Sequence, residues 1–223
     1  MRSRYRINDD RFSHFITATI VEWLPVFMTA SCCDVIVRSF EYCRQHNDLR
    51  IYAWVIMLNH FHAIVAGPNL AKTIANLKKF TAHEILKQIK LERREWLLNQ
   101  LAYFRAAHKL KSDHQVWQEG IHPQSMKSDR IMLQKLQYLH NNPVRYGFVA
   151  SPEHWRYSSA HEWLPGASPV MRVDPWRQQE GATELRRQVR SKTEFGNESS
   201  LTSPKKSSSY CLTTLPPKWL DRR

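Results

Sequence analysis

Trp54-Val55-Ile56-Met57-Leu58-Asn59-His60-Phe61-His62-Ala63-Ile64-Val65 is an apolar run interrupted by two histidines with one bulky residue between them. In an extended strand successive side chains point to opposite faces, so His60 and His62 share one face while Phe61 enters the other. Two imidazoles side by side suit a divalent ion. They equally suit a pair of ordinary strand-end histidines, because no spacing rule makes an isolated His-x-His a metal site. Upstream, residues 49 to 58 are nearly continuous apolar sequence, the pattern of a strand buried on both faces. Asn59 then begins a tight turn or bulge, and residues 60 to 66 form a second strand closed by Gly67-Pro68-Asn69.

Before this pair, residues 14 to 23 are rich in β-branched and aromatic types and predict a strand ended by Pro25. From Ser31 or Asp34 to about His46, Ile36, Phe40 and Cys43 recur at helical spacing, with Asn47-Asp48 as the stop. After the histidine strand, Ile74, Leu77, Thr81, Ile85 and Ile89 form the stripe of a helix from Ala71 to about Lys90. Lys72, Lys79, His83, Lys87 and Lys90 fall on its other side, either a solvated face or a track for a phosphate backbone. Residues 91 to 114 continue the helix or form a surface connection, and residues 116 to 126 read as a short extended segment broken by Gly and Pro. Ser128 or Asp129 caps a further helix, with Met132, Leu136 and Leu139 as its core stripe and Asn141-Asn142-Pro143 as its end.

The order strand, helix, two adjacent strands, helix, strand, helix predicts an α+β fold: a ferredoxin-like antiparallel sheet covered by helices, with an irregular C-terminal tail. We place one domain at residues 1–165 and a basic, Ser/Lys-rich extension at 166–223. Beyond about Pro175 the composition cannot bury enough apolar area to offset its ordering entropy, so part of that extension is expected to be disordered or partner-dependent.

The 33 Lys+Arg against 20 Asp+Glu leave a formal charge of +13, which favours a polyanionic partner. Eight Trp and eight Tyr could stack on nucleobases. Cys32, Cys33, Cys43 and Cys211 lack zinc-finger or C-x-x-C spacing, which argues against a structural zinc or a disulfide framework and fits a reducing cytoplasm. The charged start Met1-Arg2-Ser3-Arg4-Tyr5-Arg6 and the absence of a long uncharged apolar run predict neither an export signal nor a membrane span.

A superfold alone names no activity. What narrows it is Tyr138-Leu139-His140-Asn141-Asn142-Pro143-Val144-Arg145, together with Asn59-His60-Phe61-His62 and Trp155-Arg156-Tyr157-Ser158-Ser159-Ala160. In their order along the chain the three motifs resemble the REP-associated tyrosine transposases, a branch of the single-tyrosine HUH transposases of bacterial insertion sequences. The resemblance runs from about Arg4 to about Trp163 and leaves the tail uncovered. It implies an HUH endonuclease fold, with His60 and His62 as paired metal ligands, Tyr138 as nucleophile and Asn142 at the helix position that supplies a further ligand. It also implies a 5′-phosphotyrosine intermediate with a free 3′-hydroxyl.

The chemistry agrees with that assignment. Tyr138 and Asn142 are four residues apart on a helix and face the same way, turned from the Met132/Leu136/Leu139 stripe. A phenol with a pKa near 10 is a poor nucleophile at neutral pH and a phosphodiester repels anions. Mg²⁺ or Mn²⁺ bound by His60, His62 and an oxygen of Asn142 offsets both. The expected substrate is single-stranded DNA beside a hairpin, with Trp117, Trp155 and Tyr157 as candidate stacking residues. Lys72, Lys79, Lys87, Lys127, Arg145 and Arg156 are the candidate backbone contacts. His140 points to another face and suits a structural hydrogen bond. We expect a monomer, with a homodimer as the alternative. Two competing functions share these residues: a structured-nucleic-acid-binding module that does not cut, and a hydrolase whose histidine-bound ion activates water.

Overall fold

The computed structural model describes residues 11–107, 112–121, 123–166 and 168–176. The basic N-terminal residues 1–10 and the Ser/Lys-rich stretch from 177 onward lie outside the described residues.

Four antiparallel strands form one sheet in the order β2-β3-β1-β4. They are β1 (His14–Thr19), β2 (Arg50–Ile56), β3 (His60–Ala66) and the two-residue β4 (Gln124–Ser125). The helices are α1 (Ala30–Asn47), α2 (Leu70–Leu91), α3 (Glu95–Tyr103) and α4 (Asp129–Arg145). This is the ferredoxin-like arrangement, in which β1 and β2 flank β3 and are joined through α1. Among the described residues no single helix is long and apolar enough to cross a membrane.

Alternation along the strands divides the interior into two cores. Ile16 and Ala18 of β1 with Ile20 just after it, Trp54 and Ile56 of β2, and Phe61, Ala63 and Val65 of β3 pack against α1, α2 and α3. Phe15, Ala53, Val55 and Ile64 face the other way, against Met132, Leu136 and Leu139 of α4. Because β3 alternates, His60 and His62 lie on the same face as Ile64, the face that α4 covers. A register shift between Ile51 and Ala53 makes Tyr52 an extra residue in β2. This bulge lets Ile51 stay with the first core while Ala53 and Val55 stay with the second.

Three boundaries differ from the sequence reading. The first strand stops at Thr19 instead of running to residue 23, because the Trp23 N–H returns to the Ile20 carbonyl (3.0 Å) and closes a short turn. The connection after α2 breaks at Arg93, whose φ is 53°, before α3 begins. The last helix does not end at Asn141-Asn142-Pro143 but runs on to Arg145 with Pro143 inside it. Pro143 has no N–H for the Leu139 carbonyl, and the Asn142 side chain turns back on its own helix to supply one. Its Nδ2 donates to the Tyr138 carbonyl (2.7 Å) and the Leu139 carbonyl (3.5 Å). The helix then closes at Gly147, with φ of 73°. The Phe148 N–H bonds the Pro143 carbonyl (2.9 Å) and the Gly147 N–H bonds the Val144 carbonyl (2.9 Å), a Schellman closure that only a positive φ permits.

The exposed edge of β2 is covered by two later segments. The Ile56 N–H donates to the Tyr157 carbonyl, and Ser159 Oγ accepts from the Trp54 N–H (3.0 Å) while donating to the Trp54 carbonyl (3.2 Å). Further along the same edge the Asp174 carboxylate accepts from the Ile51 N–H (2.7 Å) and from Arg44 (2.9 Å). The described part of the C-terminal extension thus lies against the sheet, with Met171 buried. Blocking this edge removes a row of backbone groups that would otherwise pair with another chain.

Candidate active site

His60 and His62 are adjacent on β3, with ring centroids 4.7 Å apart, and both are buried. Each is oriented by a neighbour. Asn59 accepts from His60 Nδ1 at 2.6 Å, and the Asn59 Nδ2 donates to the Trp23 carbonyl at 3.2 Å. With that amide oriented, His60 Nδ1 must carry the hydrogen and Nε2 is left with its lone pair. His62 Nδ1 lies 2.7 Å from the Thr17 Oγ1 of the neighbouring strand, opposite it in register. Both Nδ1 atoms are therefore engaged, and the two Nε2 atoms are the ones left to bind. That is the pattern of metal-binding imidazoles held by partners behind them.

Burial pushes His60 down to about 4. It also holds His62 well below the usual imidazole range, with the neighbouring His60 and Lys135 adding to the effect. Both rings are neutral near pH 7, the protonation state in which an imidazole can ligate. Among the described residues no three His, Cys, Asp or Glu side chains gather as a metal cluster. An ion held by the two imidazoles would complete its shell with ligands of other types, water or substrate among them.

α4 brings Tyr138 to this face. Its ring lies 5.6 Å from the His62 ring and 5.9 Å from the Phe15 ring, which itself stacks on His62 at 5.1 Å. The ring remains 38% exposed, so it sits at the rim and not in the interior. Arg145 Cζ lies 5.4 Å from its centroid and Lys135 Nζ also 5.4 Å. These cations stand one and two turns from Tyr138 on the same helix face.

No protein-family profile matches the chain. A curated protein of Haemophilus influenzae named as a REP-associated tyrosine transposase is 26% identical over 127 residues, covering 55% of this chain and 65% of that protein. The match thus spans a little less than two thirds of that relative. The solved structure of a REP-associated tyrosine transposase bound to a REP hairpin overlays with a TM-score of 0.55 at 17% identity, covering 81% of this chain and 96% of that one. The chain resembles the REP-associated tyrosine transposases. A transposase structure from Deinococcus radiodurans, at 15% identity and covering 63% of this chain and 96% of that one, gives a TM-score of 0.35, below the level at which a shared fold is inferred.

The candidate residues separate into those gathered around the His60–His62 pair and those elsewhere. His60, His62, Tyr138 and Arg145 come together. Asn142 lies one turn beyond Tyr138 and is buried, not exposed beside it, with its amide nitrogen given to the helix backbone. Lys72, Lys79 and Lys87 are exposed on α2, on the opposite side of the sheet. Lys87 there pairs with Glu84 at 2.7 Å. Lys127 is exposed just before α4.

The aromatic candidates also divide. Trp117 is a core residue, 5% exposed, with Nε1 donating to Thr81 Oγ1 (3.1 Å) and its ring against Phe27 and Phe61. It cannot meet a base. Tyr157 faces α1, where its hydroxyl donates to Asp34 (2.9 Å), and Arg156 lies beside that hydroxyl. Burial and the Asp34 carboxylate push the Tyr157 phenol up to about 12. Trp155 is half-buried on the α4 side, with Nε1 bonded to the Ile56 carbonyl and its ring stacked 5.5 Å from Phe148. His140 donates Nε2–H to Ser159 Oγ (2.7 Å), the structural bond expected from its facing, and so ties α4 to the β2 edge.

Sequence reasoning passed over Thr17, Phe15 and Lys135. Lys135 carried a signal, since it precedes Tyr138 by three residues and Asn142 by seven, one helical face. Thr17 and Phe15 carried none, because only strand pairing brings residues so distant in sequence beside His62.

Proposed function

We propose that this chain is a transposase-type enzyme that cleaves and rejoins single-stranded DNA through a 5′-phosphotyrosine, at sites flanked by a hairpin. The observation that carries this reading is the packing of the Tyr138 ring against His62, with His60 beside it, in one chain and at the protein surface. The hairpin follows from the structurally similar transposase, which was solved bound to a REP hairpin.

In this reading Lys135 and Arg145 draw the phosphate backbone to the rim, where their charges are close enough to matter and still exposed to solvent. The Tyr138 oxygen attacks the scissile phosphorus in line, forming the Tyr–O–P bond as the P–O3′ bond breaks. The proton leaves the phenol and the departing 3′-oxygen takes one up. Attack by a 3′-hydroxyl on the phosphotyrosine reverses the step or joins a new strand, with no nucleotide cofactor, because the number of phosphoester bonds is unchanged. Mg²⁺ or Mn²⁺ held by the Nε2 atoms of His60 and His62 and the oxygen of Asn142 would polarise the phosphate and steady the 3′-oxygen. Asn59 holds His60 in the ligating tautomer, Thr17 orients the His62 ring, and burial keeps both imidazoles neutral. Tyr138 packs against His62 of its own chain, which supports a site completed within one subunit.

The test is incubation of the full chain with hairpin-bearing single strands in Mg²⁺ and in Mn²⁺, read on a denaturing gel. A metal-dependent covalent adduct that disappears in Tyr138→Phe, while that variant still binds the hairpin strand, is the expected result. A gel shift with no adduct would support the binding module in its place. Turnover with no adduct would support the hydrolase.

A further inference from the structure

The turn between β1 and α1 contains a backbone choice that its residue types do not explain. Glu22 and Trp23 are consecutive and both left-handed, with φ of 48° and 55°. That conformation crowds Cβ against the backbone for any L-residue with a side chain, and glycine or asparagine adopts it at least cost. The turn is over-determined by its surroundings: the Val21 N–H bonds the Val116 carbonyl (2.8 Å), the Ile20 N–H the Asn59 carbonyl (2.8 Å) and the Leu24 N–H the Val21 carbonyl (3.2 Å). Val21 and Leu24 are buried and anchor it. Trp23, however, is 49% exposed. The largest side chain thus occupies a strained position without the burial that would repay the strain, and such outliers gather at functional sites.

What Trp23 does touch is the candidate active site. Its ring meets His60 edge to face at 5.8 Å, and its carbonyl is held by the Asn59 amide that also orients His60. One asparagine side chain therefore fixes both the imidazole and the turn that presents the indole. The indole meets His60, the His60 ring meets His62, and the His62 ring meets Tyr138.

We infer that Trp23 is a stacking platform for one unpaired nucleobase next to the scissile phosphate. This inference rests on the reading of the site as one that takes single-stranded DNA. An indole face accepts any base, so Trp23 sets where the strand lies and not which base is read. A duplex would keep its bases stacked on one another, so the platform selects unpaired strand beside the hairpin.

The test uses the full chain carrying Tyr138→Phe, which holds DNA without cutting it. Hairpin strands with 2-aminopurine at successive positions of the single-stranded flank report stacking by loss of fluorescence. One flank position is expected to be quenched on binding. Trp23→Gly removes the ring and suits the left-handed backbone. It is expected to weaken hairpin-strand binding about tenfold to a hundredfold and to abolish that quench, while thermal stability holds or rises. Trp23→Phe should restore most of both signals, and Trp23→Leu should restore neither. Unchanged affinity and quenching in Trp23→Gly would overturn the inference. So would a destabilised Trp23→Gly that binds normally, since it would make the ring a structural cover. If wild-type protein forms no adduct yet Trp23→Gly loses quench and affinity, the cleavage reading falls and the platform stands. If the adduct forms and Trp23→Gly behaves as wild type, the reverse holds.

Discussion

Thr17→Val tests whether His62 is a ligand held from behind or a packed core histidine. Valine matches threonine in shape and suits a strand, so the substitution removes little besides the Oγ1 that stands 2.7 Å from His62 Nδ1. His62 is 5% exposed, so water cannot readily replace the lost partner. An unsatisfied buried polar group costs about 1–3 kcal/mol, which for a chain of 223 residues lowers Tm by roughly 2–12 °C. The second consequence is specific to the metal reading. Without Thr17 the imidazole loses the bond that fixes its orientation, and loss of such a partner typically weakens metal affinity about 10–100-fold. The assay is covalent adduct formation on a hairpin strand as a function of Mn²⁺ concentration, with thermal denaturation run in parallel. The Mn²⁺ required for half-maximal adduct should rise about 10–100-fold, while the adduct at saturating metal stays near the wild-type level. A variant that loses stability but keeps its Mn²⁺ dependence would refute the reasoning and return Thr17 and His62 to the role of an ordinary buried pair.

Acid should destabilise the metal-free protein. Burial places His60 at about 4 and His140 at about 3 in the fold, against about 6.5 unfolded. Unfolding therefore takes up protons below pH 6.5: the full stability is present above that pH and is lost as pH falls toward the folded values. At pH 5 each histidine should account for about 2 kcal/mol, so a urea midpoint unchanged between pH 7.5 and 5 would contradict neutral burial. Asn142→Ala should cost about 1–2 kcal/mol by leaving helix carbonyls without a donor, and less in a Pro143→Ala background, where a backbone N–H returns to Leu139. Equal losses in both backgrounds, read by urea denaturation, would mean that the side chain does not compensate for the proline. Arg145→Gln should weaken hairpin binding and reduce the slope of log affinity against log salt by about one, whereas Lys72→Gln, Lys79→Gln and Lys87→Gln together should change it little. A larger effect from the three lysines would move the DNA path to the α2 layer.

Much of this was legible in local pattern. Strand geometry over residues 60 to 66 is enough to put His60 and His62 on one face, and the 3.6-residue stripes of Leu77, Ile85 and Leu139 are enough to identify their helices. The order of these elements specifies the split βαβ arrangement, because crossovers between parallel strands are right-handed and short-range choices are few. The end of α4 was misread because proline and two asparagines look like a stop when taken singly. The helix continues because Asn142 supplies what Pro143 lacks, and the true closing signal was Gly147, four residues on.

Sequence by itself determined the basic charge, the strand alternation, the helix stripes and the motif that pairs a late-helix tyrosine with a histidine strand. Only tertiary structure decided which layer each stripe joins. The lysines of α2 look like a phosphate track until the sheet is seen to separate them from Tyr138, and Trp117 looks like a stacking residue until it closes over Phe27 and Phe61. The partners that orient the histidines belong to the same class, Thr17 lying 45 residues from His62 and Trp23 36 residues from Asn59. Periodicity is written over about ten residues, whereas these contacts depend on strand register and on which face each helix covers, and those are settled only when the whole core packs.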